Sequence, residues 1–250
     1  MSAIRLEQIS FKLGHQMVLE NVSVNLTKGA FAVLVGSYEI GKHALMDLLT
    51  GEKSPSRGRV SILGAEPKAQ QQTLKRRVAH LTSKADLPSK WVACEYLAFN
   101  RFYYPGYDRD LEARLMRMFD IDPRAQISRM TSEEKRRLHV VAQLAAKPEV
   151  ILVDELTTLL DHNGRRALVA YLGEQSREHG VCVFVTTSLL EDLTNFATQV
   201  MMLKPGTTQE PAPPADFLKK AKVPPRKSFA GAPSGNVFSQ VFEAAQRLLA

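Results

Sequence analysis

The spacing Gly36-Ser37-Tyr38-Glu39-Ile40-Gly41-Lys42-His43 constrains this chain more than any other stretch. It keeps a G-x-x-x-x-G-K frame, and its flanks give that frame a context. The apolar run Phe31-Ala32-Val33-Leu34-Val35 before it predicts a buried strand. The run Ala44-Leu45-Met46-Asp47-Leu48-Leu49 after it predicts a helix that stops at Gly51. A glycine turn between strand and helix gathers backbone N–H groups around an anion. A lysine there reaches outer phosphates, and a following Ser or Thr hydroxyl holds Mg²⁺. In this chain that hydroxyl position is His43. Imidazole nitrogen is a poor replacement for the hard oxygen that Mg²⁺ takes. Glu39 adds a carboxylate where an anion nest favours small neutral residues. The frame predicts a bound nucleotide phosphate, and the substitutions predict that its use is impaired.

The surrounding pattern is that of an α/β chain. Residues 3–11, 18–26, 31–35, 59–63 and 78–81 read as strands, with turns at Lys28-Gly29 and Pro55-Ser56-Arg57-Gly58. Between about 90 and 146 the period becomes helical. Leu111, Leu115, Met118 and Phe119 fall on one helical face, and Leu138, Val141, Ala142 and Ala145 on another. Strand character returns at 150–153 and 181–185, on either side of a helical stretch at 165–176. Strands alternating with helices predict a mostly parallel sheet with a helical block inserted.

Composition changes after residue 203. Pro205, Pro211, Pro213, Pro214, Pro224, Pro225 and Pro233 predict an irregular linker over 204–235, carrying Lys219, Lys220, Lys222, Arg226 and Lys227. Val237, Phe238, Val241, Phe242, Ala245, Leu248 and Leu249 then predict an amphipathic helix over 236–250. The 250 residues carry a formal charge of +7. That surplus suits plain solvation of the surface or an anionic lipid surface. It argues less for nucleic acid, because the basic residues are not interleaved with stacking aromatics. Cys94 and Cys182 have no metal-like spacing and suit a reducing compartment without disulfides. No run approaches the ~18 apolar residues of a membrane span, and a cytosolic chain is expected.

The chemistry-bearing pair is Asp154-Glu155, at the end of the buried run Val150-Ile151-Leu152-Val153. An acidic pair at a strand end is common by itself. In one sheet with a phosphate loop, it is where an Asp helps hold Mg²⁺ and a Glu activates water. Asp161 stands shortly downstream.

Together these residues resemble the ATP-binding cassette (ABC) family of ATPases, over roughly residues 3–203. Met130-Thr131-Ser132-Glu133-Glu134-Lys135-Arg136-Arg137-Leu138 stands where that family has L-S-G-G-Q and basic residues. Asp154-Glu155-Leu156-Thr157-Thr158-Leu159-Leu160-Asp161 is similar to D-E-P-T-S-G-L-D. Glu95-Tyr96-Leu97-Ala98-Phe99 with Phe102-Tyr103-Tyr104-Pro105 resembles the helical subdomain of exporter-type bacterial cassettes. The resemblance implies a P-loop core with an antiparallel β region and an inserted helical subdomain. It implies ATP and Mg²⁺ as ligands, a second cassette and a membrane permease as partners, and a place at the inner face of the membrane. Gly36, Gly41, Lys42, His43 and Ala44 would then line the phosphate site, Asp154 would be the metal position, and Glu155 the general base.

Carried over position by position, the resemblance exposes departures. The adenine-stacking aromatic aligns with Leu13, the γ-phosphate glutamine with Ser83, and the γ-phosphate histidine with Ser188. Thr131 and Glu134 have capping-box spacing, which satisfies internally the N–H groups that this helix would offer to a phosphate. Glu133 adds charge where glycine normally stands. A carboxylate about 4 Å from a phosphate oxygen costs on the order of 4 kcal/mol at an effective dielectric near 20. Glu39 or Asp154 is expected to pair with Lys42. The reading is a degenerate cassette paired with a competent one. The alternatives are an active ATPase subunit using Asp154 and Glu155, or a scaffold without a permease.

Overall fold

The computed structural model describes residues 2–35, 39–84, 86–187, 196–204, 207–208 and 213. Gly36, Ser188, the terminal helix and, Pro213 apart, the linker beyond residue 208 lie outside them. Strands β1 (Ser2–Leu13), β2 (Gln16–Thr27) and β4 (Arg57–Ile62) form an antiparallel sheet in the order β2-β1-β4. A second sheet runs β5-β6-β7-β3-β8-β9. It comprises β5 (Val78–Leu81), β6 (Val150–Val153), β7 (Cys182–Thr187), β3 (Phe31–Val35), β8 (Gln199–Lys204) and β9 (Thr207–Thr208). All of its neighbours pair parallel except β8 with β9. This is the mixed α/β architecture that the sequence predicts.

The parallel strands are apolar throughout because both faces are covered. Phe31, Val33 and Val35 of β3 join one core with Val183 and Val185 of β7, Ile151 and Val153 of β6, and the helices α3 (Ala93–Tyr103), α4 (Arg109–Met118), α5 (Ser132–Ala145) and α7 (His162–His179). Ala32, Leu34, Phe184 and Leu152 face the other way. They pack with α1 (Glu39–Thr50) and the antiparallel sheet. The remaining helices, α2 (Gln71–Lys75) and α6 (Leu156–Leu159), are short. Helix α1 stops at Gly51, whose φ of +76° suits a left-handed cap and whose added Cβ would stand 2.6 Å from the Pro67 carbonyl.

One face assignment is corrected. Leu111, Leu115 and Phe119 are buried, but Met118 is 47% exposed. Helix α4 ends at Met118, and Asp120 takes φ +50°, so the helical period no longer governs that end.

Helix α5 also carries the half-buried His139. Its Nε2 lies 3.0 Å from the His80 carbonyl oxygen on β5, and among the described residues its Nδ1 has no hydrogen-bond partner. Burial is the largest influence on His139 and pushes its pKa below the usual 6.5; the same holds for His80. A lowered folded-state pKa means that the unfolded chain binds more protons. Stability is therefore full above the unfolded value of 6.5 and falls as the pH drops through it. Urea midpoints at about pH 7.5 and 5.5 should show this loss, and His139→Gln should reduce it.

Candidate functional site

The carboxyl ends of β3, β6 and β7 lie at one edge of the sheet, where open α/β sheets place ligands. Strand β7 sits between the other two, so its Thr186 reaches the acidic pair. The Thr186 hydroxyl donates to Asp154 Oδ1 at 3.3 Å and accepts the Glu155 backbone N–H at 2.8 Å. Asp154 is pinned further by its own N–H, which donates to the Leu81 carbonyl at 2.9 Å. Glu155 holds φ +50°, a left-handed conformation that is uncommon outside glycine. That turn swings its side chain away from the strand direction and toward α1.

Lys42 and His43 lie in the first turns of α1, after the buried Gly41. Lys42 is 1% exposed, and its ammonium meets Glu155 Oε2 at 2.6 Å. Of the two expected partners of Lys42, Asp154 is turned to His43 instead, and the Glu39 side chain lies outside the described residues. The His43 Nδ1 to Asp154 Oδ2 distance is 3.4 Å. The Ala44 side chain is buried in the core between α1 and the antiparallel sheet. Ser83 is half-buried in the turn after β5, and Leu13 is 50% exposed at the end of β1.

These side chains do not fit Mg²⁺. That ion takes oxygen ligands in a strict octahedron and is commonly held through one or two carboxylates beside substrate phosphates. Asp154 here faces an imidazole and a hydroxyl donor, Glu155 faces an ammonium, and position 43 offers nitrogen. Lys42 already has an anionic partner from its own chain.

The second half of the constellation starts α5. Thr131 Oγ1 accepts from the Glu134 N–H at 3.2 Å, and Glu134 Oε2 accepts from the Thr131 N–H at 2.7 Å. The backbone hydrogen bond from Thr131 is the largest influence holding the Glu134 carboxyl below its usual range. The capping box is thus formed as its spacing predicts.

Glu133 differs from expectation. It does not stand as a bare charge: its carboxylate folds back on Arg136 at 2.9 Å and Arg137 at 3.2 Å, and accepts the Asp161 N–H at 3.1 Å. Arg137 also meets Asp161 at 3.0 Å, and Arg136 donates to the Leu159 carbonyl at 2.7 Å. Asp161 caps α7 through the Gly164 N–H. One network therefore ties the start of α5 to the segment between α6 and α7. The Glu-to-Arg spacings of three and four residues were the available signal for it. Nothing comparable in the sequence pointed to Thr186.

Comparison with known proteins agrees with this geometry. A family model described as ABC transporter matches residues 19–158, more than half of the chain. Achromobactin transport ATP-binding protein CbrD of Dickeya dadantii is 25% identical over 234 residues, covering 89% of this chain and 87% of that protein. Energy-coupling factor transporter ATP-binding protein EcfA2 of Enterococcus faecalis is 22% identical, covering 95% and 88%. Nod factor export ATP-binding protein I of Rhizobium leguminosarum is 23% identical, covering 82% and 67%. In fold, an ATP-binding subunit of an ABC transporter superposes with a TM-score of 0.79 at 20% identity, covering 96% of this chain and 99% of the other. The sheet order, the two carboxylates near Lys42 and the family match agree: this chain belongs to the ABC transporter family, as an ATP-binding-cassette subunit of a transport complex.

Proposed function

We propose that this chain is a degenerate cassette of an exporter-like ABC membrane complex, with weak or no ATP hydrolysis of its own, paired with a competent cassette on another chain. The observation that carries this reading is the buried contact of Lys42 with Glu155 at 2.6 Å. The residue that should polarise phosphate and the residue that should activate water neutralise each other. An ATP phosphate must displace that pair before it can use the lysine. His43 compounds the loss by removing the hydroxyl that places Mg²⁺.

A homodimer would carry two such sites. A heterodimer carries one intact phosphate loop, from the partner, facing the altered start of α5 in this chain. The role is then structural or gating: holding the dimer, docking the permease through the helical segment between β5 and β6, and transmitting the partner's closure. Among the described residues no helix is long and apolar enough to cross a membrane, so the permease is a separate chain in this reading. The complex would sit at the inner face of the membrane, where the +7 charge favours anionic lipid.

Steady-state phosphate release tests this. The chain alone, and the chain beside a hydrolysis-dead partner cassette, are expected to turn over ATP at least about a hundredfold below the ~1–10³ s⁻¹ of typical enzymes. Turnover within that range, lost in Glu155→Gln, would establish instead that Glu155 still acts as a general base.

A further inference from the structure

A cleft of about 400 Å³ opens at the edge of the parallel sheet opposite Lys42 and the acidic pair. It lies where three strands begin: Lys28 comes shortly before β3, Pro148 and Glu149 before β6, and Val181 before β7. The start of α4 adds Leu111, and the end of α7 adds His179. Its size falls within the ~300–1,000 Å³ of small-molecule sites. Leu111, Pro148 and Val181 are buried and give it an apolar floor, whereas Lys28, Arg114, Lys147 and His179 are exposed around it.

The rim carries more positive charge than its carboxylates neutralise. Glu149 is shared by Arg77 at 2.6 Å and Lys28 at 3.1 Å. The hydrogen bond from Arg77 is the largest influence holding the Glu149 carboxyl below its usual range. Asp108 is engaged as the cap of α4, where its Oδ1 accepts the Leu111 N–H at 2.9 Å. Its Oδ2 stands 3.7 Å from Lys147 Nζ, beyond hydrogen-bond length. Arg114 acts on Asp108 only through space, and more weakly than Lys147 does. Among the described residues, four cations therefore share two carboxylates here. Glu174 and Glu178 cluster with His179 at the end of α7 but do not line the cleft.

We propose that this cleft binds a phosphate monoester with an apolar body, at a site separate from the nucleotide site. A phosphate monoester carries about −1.5 to −2 charges at pH 7, which matches the cationic surplus. Arg114 and Lys147 hold the phosphate, because their partners are the loosest and a guanidinium fork fits paired phosphate oxygens. The apolar body covers Leu111, Pro148 and Val181. None of Lys42, His43, Asp154 or Glu155 takes part, so the site holds whether or not ATP turns over.

The probe is phenyl phosphate, titrated into the full chain at constant pH and followed by calorimetry and histidine-ring NMR. The expected result is one equivalent whose first effect is on the His179 ring, ahead of His43 at the other edge. Benzoate has a single charge and inorganic phosphate lacks the apolar body, so each should bind at least roughly threefold more weakly. Arg114→Gln and Lys147→Gln should each weaken phenyl phosphate binding by at least about tenfold. Both positions are exposed, so the urea midpoint should barely move, which guards against a folding artefact. Lys12→Gln, which removes an exposed cation on β1, should leave binding unchanged. No saturable binding, a first response at His43, or undiminished binding in either Arg114→Gln or Lys147→Gln would overturn the proposal. An equal loss in Lys12→Gln would do the same, by showing attraction to the net charge of +7 alone.

Discussion

The Glu155→Gln variant is expected to lose about 3 kcal/mol of stability and to bind ATP more tightly than the parent chain. Glutamine keeps the shape of the side chain and removes its charge. Lys42, at 1% exposure, then loses the carboxylate that sits 2.6 Å from it. Breaking a buried pair by removing one partner costs on the order of 3–5 kcal/mol, because one charge remains desolvated. The lower end applies because Lys42 has a further interaction besides Glu155. A phosphate can restore the missing negative charge, so binding should improve as stability falls. Urea denaturation with and without ATP measures both effects in one experiment. Replacing the pair together by Lys42→Met and Glu155→Leu should recover most of the lost stability, since apolar groups of similar volume carry no desolvation penalty. If Glu155 were poised as a base and made no stabilising contact, Glu155→Gln would leave the urea midpoint unchanged.

The second large effect belongs to Glu133. Substitution by alanine removes the acceptor of two guanidinium groups and of the Asp161 N–H at once. All three side chains are a quarter exposed or less, so solvent screening does not erase the contribution. Hydrogen bonds to charged groups are worth about 1.5–3 kcal/mol each, but the arginines keep Leu159 and Asp161 as partners, so a net loss of about 2 kcal/mol is expected. The local readout is sharper than the global one. Amide exchange at Asp161 should accelerate, while exchange in β6 and β7 should change only as far as global stability does. Equal acceleration everywhere would show that Glu133 acts on the whole domain and not as a link between α5 and α7.

Most of the fold was legible because long apolar runs leave few choices. The apolar runs 31–35, 150–153 and 181–185 read as strands, which the structure has at Phe31–Val35, Val150–Val153 and Cys182–Thr187, and the glycine frame after the first of them calls for a helix next. The capping box at Thr131 and Glu134 was legible for a similar reason, since its spacing is local. Contacts across long sequence separations were not. Lys42 and Glu155 are 113 positions apart, and opposite charge alone offered Glu39 and Asp154 as equally good partners. The left-handed backbone at Glu155 brings a third carboxylate to Lys42, and no residue type announces it. The fold-back of Glu133 was hidden because its position suggests a charge facing a ligand, although two arginines within about one helical turn offer a nearer partner. Met118 failed where a helical period was extended through a helix end.

In the proposed function the Lys42–Glu155 contact closes the chain's own phosphate site. Calorimetric titration of ATP into the purified wild-type chain, with and without Mg²⁺, tests it most directly. The predicted result is weak binding that Mg²⁺ does not strengthen, becoming tighter in Glu155→Gln. Tight binding by the wild type that depends on Mg²⁺ would contradict it.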